Sequence, residues 1–232
     1  MPSKYNKEAT KSNFGRLSDF RESTDSSLEK VENLWYDYPF TIICSIFLVV
    51  IHFLFWILAP TDILFTLPNQ FLDQFSLYNP FVINDFFNNW YRLFTSLFIH
   101  ADIFHLAGNL LFFVIFSIRL EELKGTKVVA VVFLISGLAG NILTLLIFWT
   151  APLLSLGASG AINGVFMANV VTMRKTYDKG SLTMLAFIVI FASFTIAGQS
   201  SNFFAHFGGL LGGGLAMYGF ERLEKKRRKR NH

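Results

Sequence analysis

From Pro39 to Ala59 the chain carries no Asp, Glu, Lys or Arg. At 1.5 Å per residue that is about 30 Å of helix, the thickness of a bilayer's hydrocarbon core. Comparable runs recur at about 100–118, where Asp102 is the one charge, and at 128–149, 157–173, 181–198 and 203–220. Only 16% of residues are charged and the mean hydropathy is +0.45, whereas soluble domains hold roughly 25% charged residues. The charges that remain fall in blocks between the runs. This pattern excludes a soluble globule and predicts an all-α, polytopic membrane protein with six transmembrane helices.

Three parts are expected. Residues 1–38 form a polar N-terminal segment. Within it, Ser26 and Glu29 fit a capping box, and Leu28, Val31, Leu34 and Trp35 mark a short interfacial helix over about 27–36. No cleavable signal peptide is read there. Residues 39–220 hold the six spans, and 221–232 form a basic tail. The connection 60–89 is too long for a plain turn and rich in Phe, so it is expected to fold back onto the membrane interface.

Lys and Arg orient the bundle. Arg119, Lys124 and Lys127 follow the second span, Arg174, Lys175 and Lys179 follow the fourth, and six basic residues lie between Lys225 and Arg230. The 150–156 and 199–202 connections have none. Basic loops thus fall on one side, which predicts both termini in the cytoplasm of a cell-membrane protein. The net charge of +4 comes mainly from the tail, so nucleic acid is not an expected partner. Cys44 is the only cysteine, which rules out an internal disulfide.

Two polar side chains stand out. Ser159 sits near the start of the fourth run and His206 near the start of the sixth, at matched depth on the non-cytoplasmic side. Polar groups inside membrane helices are costly and mark functional sites. A serine whose proton an imidazole can take is also the minimal apparatus of nucleophilic catalysis. Gly160 and Gly164 are four apart, as are Ala205, Gly209 and Gly213, a spacing that lets two helices approach closely. The plain alternatives are a serine bonded to its own helix backbone and a packing histidine. On the second span His105 and Asn109, four apart, share a helix face. With the Ser159 N–H they could donate to an oxyanion. A metal site is the rival reading. His100 and His105 lie about 140° apart around a helix, which prevents joint ligation unless the helix starts after His100. No third ligand is evident and no cofactor is expected.

Four motifs in order between about Trp90 and Gly214 resemble the rhomboid intramembrane serine proteases of the minimal six-span bacterial type. They are His100-Ala-Asp-Ile-Phe-His105-Leu-Ala-Gly-Asn109, Glu121 with Gly125, Gly157-Ala158-Ser159-Gly160, and Ala205-His206-Phe207-Gly208-Gly209. The resemblance implies Ser159 as nucleophile, His206 as general base and an oxyanion site from His105 and Asn109, with no acidic third member. It also implies a first loop partly in the bilayer and transmembrane proteins as substrates. Gly157, Gly160, Gly209, Gly213, Asn163, Arg92 and Glu121 are the supporting positions. Three positions depart from the family pattern. Tyr91 separates Trp90 from Arg92, Asn163 replaces an aromatic four after the serine, and Asn202 replaces an acid four before the histidine. A rhomboid-like protein that binds or escorts membrane proteins without cleaving them is the alternative.

Overall fold

A computed structural model describes residues 34–59, 65–149, 151–174 and 202–231. The expected interfacial helix is therefore seen only at residues 34–37, which form a helical turn. The rest of it lies outside the described residues, as do the fifth span and the 4–5 connection.

Helix α1 (Pro39–Leu58) leads to a run of short elements: α2 (Asn69–Phe75), β1 (Leu77–Tyr78), α3 (Asn79–Asn84), α4 (Phe86–Asn89) and α5 (Arg92–Thr95). Helices α6 (Ile103–Lys124) and α7 (Thr126–Ile147) follow, then β2 (Leu154–Ser155), α8 (Ser159–Met173) and α9 (Phe203–Arg230). Among the described residues, α1, α6 and α7 are long and apolar enough to cross a membrane. These correspond to the expected first, second and third spans, and the expected fourth and sixth fall on the two helices that follow. Helix α8 has 15 residues, about 22 Å. Helix α9 spends much of its length on glycine, which serves contact with neighbouring helices rather than hydropathy. It also runs on to Arg230, so the basic tail is a continuation of the last helix.

The bundle core is α7, α8 and α9, with α8 also against α6. Small residues set the spacing. A β-carbon on Gly213 would collide with the Gly164 carbonyl, one on Gly140 with the Ala205 carbonyl, and one on Gly164 with the Ser136 side chain. Phe113 and Phe133, both fully buried, fill the gap toward α1, each meeting Phe40 edge-on.

Gly125 makes the sharp turn from α6 to α7. Its φ of 81° lies in the region that suits glycine, and its N–H donates to the Glu121 carbonyl at 2.8 Å. The Glu121 carboxylate points instead at the start of α1, where it accepts from Phe40 N, Thr41 N and Thr41 Oγ1 at 3.0, 3.1 and 2.7 Å. It thereby satisfies amide groups that a helix start leaves unbonded.

One feature departs from an all-helical reading. Leu77 and Tyr78 pair antiparallel with Ser155 and Leu154. The Asn79 side chain also donates to the Phe148 carbonyl at 2.9 Å. The long first loop is thus fastened to the connection that leads into α8.

Candidate active site

Asp102 decides where α6 begins. Its carboxylate accepts from Phe104 N and His105 N, each at 2.9 Å, a side-chain N-cap. His105 therefore lies in the first turn, with Asn109 one turn further on the same face. Because the helix starts after His100, that imidazole is free to turn inward. It is fully buried, meets the His105 ring edge-on at 5.1 Å, and accepts from Ala158 N at 3.4 Å. No group of three His, Cys, Asp or Glu residues suited to a metal converges among the described residues.

The connection into α8 is held from several sides. Gly157 N donates to Ser96 O at 2.8 Å. The Ser96 hydroxyl accepts at 2.9 Å from the Asn141 amide, which also donates to Leu93 O at 2.8 Å. Gly157 has φ 105°, a conformation a side chain resists. A β-carbon there would stand 2.8 Å from His105 Nε2 and 3.8 Å from Asn109 Nδ2. Glycine at this position lets the backbone pass directly beside those two side chains.

Ser159 opens α8, where backbone N–H groups have no partner within the helix. Its hydroxyl oxygen lies 2.8 Å from His206 Nε2, although the residues belong to different helices. His206 is 4% exposed. The approach depends on the glycines beneath it: a β-carbon on Gly160 would stand 3.0 Å from the Ala205 carbonyl oxygen, and one on Gly209 would overlap the Gly160 carbonyl. Asn163, one turn below, donates to the Ser159 carbonyl at 2.9 Å.

A cavity of about 630 Å³ is lined by Ser159, His206, His105, Asn109, Asn163 and Asn202, among others. A hydroxyl, two imidazoles and three carboxamides thus share one chamber. Arg92 and Glu121 lie elsewhere. Arg92 is buried and donates to Asn89 Oδ1, Asp73 O and Ser76 O at 2.9, 2.5 and 3.0 Å, clamping the first loop. Glu121 is about 24 Å along α6 from His105.

Sequence reasoning missed three features that hold the site's surroundings together: the Asn141 anchor, the His100 contact with Ala158, and the bonds of the Asn202 side chain. Asn141 carried a readable signal, a carboxamide within an uncharged span. The other two depend on loop geometry.

Residues 88–222 match the Rhomboid domain family. The putative rhomboid protease YdcA of Bacillus subtilis is 32% identical over 182 residues, covering 73% of this chain and 87% of that protein. Rhomboid-like protease 3 of Toxoplasma gondii is 38% identical over 138 residues, 55% of this chain and 50% of that one. Inactive rhomboid protein 1 of Drosophila melanogaster is 40% identical over 86 residues, 37% of this chain and 6% of that one. The chain spans half the length or less of several curated relatives it matches. With a domain match over more than half its residues and apolar helices of bilayer length, this multi-pass membrane chain belongs to the rhomboid family.

Proposed function

We propose that the protein is an intramembrane serine endopeptidase that cleaves transmembrane segments of other membrane proteins. The observation that carries this reading is the 2.8 Å contact between Ser159 Oγ and His206 Nε2 within the cavity. In the tautomer ready for attack, the serine hydroxyl donates to Nε2. As Oγ attacks the scissile carbonyl carbon, Nε2 takes the hydroxyl proton. The carbonyl oxygen gains negative charge and is met by the Ser159 N–H, the Asn109 amide and the His105 ring, acting as oxyanion donors. His206 then passes its proton to the leaving amine nitrogen, which frees one product and leaves an acyl ester on Ser159. Water attacks the ester with Nε2 again as base, releasing the second product.

The cavity begins at the starts of α6, α8 and α9, on the end away from the basic blocks. Both termini then lie in the cytoplasm and the site opens to the extracytoplasmic side of the cell membrane. The six-span arrangement belongs to this reading. Phe86 and Phe87, 51% and 90% exposed, support a first loop that dips into lipid. Lipids and transmembrane proteins are the partners.

The experiment is cleavage of a transmembrane substrate in proteoliposomes by the purified protein and by Ser159→Ala, with a fluorophosphonate to label the nucleophile. Cleavage and labelling by the native protein, and neither by the variant, are expected. The relative named inactive favours a second reading, a rhomboid-like protein that binds or escorts membrane proteins. A native protein that holds the substrate but neither cuts it nor labels would establish that reading instead.

A further inference from the structure

Ser159 and His206 reach each other from separate helices, so something must hold the start of α9 in register with the connection before α8. The Asn202 side chain touches both. Its Oδ1 accepts from Phe204 N and Ala205 N, each at 3.1 Å, and so caps the helix whose first turn carries His206. Its Nδ2 donates to Ser155 Oγ at 3.0 Å and to Thr144 Oγ1 at 2.8 Å. Ser155 lies on β2, four residues before Ser159, and Thr144 lies on the last turn of α7. A carboxamide offers two donor hydrogens and an oxygen with two lone pairs. All four are used, and they join three elements at one point. Asn202 is also the residue whose backbone carbonyl accepts from His206 N at 3.2 Å.

Resting on the peptidase reading above, we propose that Asn202 is a positioning residue that sets the Ser159–His206 distance by locking the α9 N-terminus to β2 and α7. Capping alone does not require asparagine, since Ser and Asp cap about equally well. What asparagine adds is the pair of N–H donors. Thr144 Oγ1 already donates its proton to the Gly140 carbonyl at 2.9 Å, so it can only accept from residue 202. A carboxylate at position 202 would face that lone pair without a hydrogen between them. Ser155 could still rotate its hydroxyl to donate to a carboxylate. A serine at 202 keeps the cap but is too short to reach either hydroxyl.

The test compares the native protein with Asn202→Ser, Asn202→Asp, Ser155→Ala and the Asn202→Ser/Ser155→Ala double variant in proteoliposomes. It measures kcat and KM on a transmembrane substrate, the rate of fluorophosphonate labelling of Ser159, and the unfolding temperature. Misplacement of reacting groups by up to about 1 Å lowers turnover by up to about 100-fold. Asn202→Ser should lower kcat and the labelling rate together, by about 10-fold to 100-fold, with KM within about twofold and the unfolding temperature held by the retained cap. Asn202→Asp should recover part of the loss through Ser155, and the double variant should be no slower than Asn202→Ser. The proposal is overturned if Asn202→Ser cleaves at the native rate, if its loss disappears on cooling below its unfolding transition, or if the two single effects multiply. A native protein that neither cleaves nor labels overturns the peptidase reading and this role with it. A native protein that cleaves beside an equally fast Asn202→Ser overturns the role alone.

Discussion

Gly209 lies so close to Gly160 that a β-carbon on the first would overlap the carbonyl of the second. Each glycine is three residues or fewer from a member of the Ser159–His206 pair, so the packing of α8 on α9 and the 2.8 Å contact are one geometric fact. Gly209→Ala must push the helices apart or strain the backbone. Overpacking of this kind costs about 1–3 kcal/mol, or roughly 2–12 °C of unfolding temperature for a domain of this size. Cleavage should also fall below the native rate at temperatures where the variant is folded. Gly219→Ala is the control on the same helix: nothing lies within 4 Å of its would-be β-carbon. Thermal unfolding in detergent distinguishes them, and equal behaviour would show that the close approach is not required.

Asn109 is 7% exposed, lines the cavity and donates to the His105 carbonyl at 2.9 Å. Asn109→Ala should reduce kcat by roughly 100-fold, as loss of one oxyanion donor does, with the protein still folded. Steady-state kinetics at saturating substrate decide it, and an unchanged kcat would remove Asn109 from the reaction.

Glu121 makes three bonds to the start of α1 and is 3% exposed. Glu121→Ala leaves buried amides and a hydroxyl without their acceptor, a loss of about 1–3 kcal/mol. The unfolding temperature should drop by roughly 2–12 °C, while kcat of the folded fraction stays near native because the site lies at the other end of α6. A kcat loss without a stability loss would contradict this division.

The substrate must present an unwound backbone. A peptide carbonyl inside a transmembrane helix is bonded to an amide four residues on, and exposing it to lipid is costly. Gly, Pro or polar residues near the outer end of the substrate span should therefore speed cleavage, and replacing them with Leu should slow it strongly. Because Gly157 and Gly160 crowd against their neighbours, the residue donating the carbonyl should be small, such as Ala, with Phe or Val poorly cut. Mass analysis of the products and relative rates provide the measurement. An all-Leu span cut as fast as a Gly-containing one would place the cleavage site in a juxtamembrane loop.

Much of the site is legible in the sequence. Ser159 and His206 stand out because an uncharged run makes every polar side chain conspicuous. The four-residue spacing of Gly160, Gly164, Gly209 and Gly213 names two helices that can touch. Less legible is α7 as the third partner, where Gly140 meets the Ala205 carbonyl. A glycine in a single helix does not declare which neighbour its bare face receives. The connection 60–89 reads as an apolar loop, yet from Asn69 onward it folds into short helices and a two-residue strand pairing with β2. Elements this short carry no periodicity to read, and the strand exists only because residues far along the chain pair with it.

Sequence alone determined the environment and the chemical parts: uncharged stretches of bilayer length, basic blocks between them, a serine, histidines and carboxamides at particular turns. Those properties depend on residues adjacent along the chain, where hydropathy and helical periodicity operate. Tertiary structure alone decided which parts meet. The turn of His100 toward Ala158, the route of the backbone past His105 at Gly157, and the bonds of Asn202 to Thr144 and Ser155 each join residues dozens of positions apart. Such contacts are set by how closely helices pack and in what register, and that register is a property of the assembled bundle rather than of any one segment.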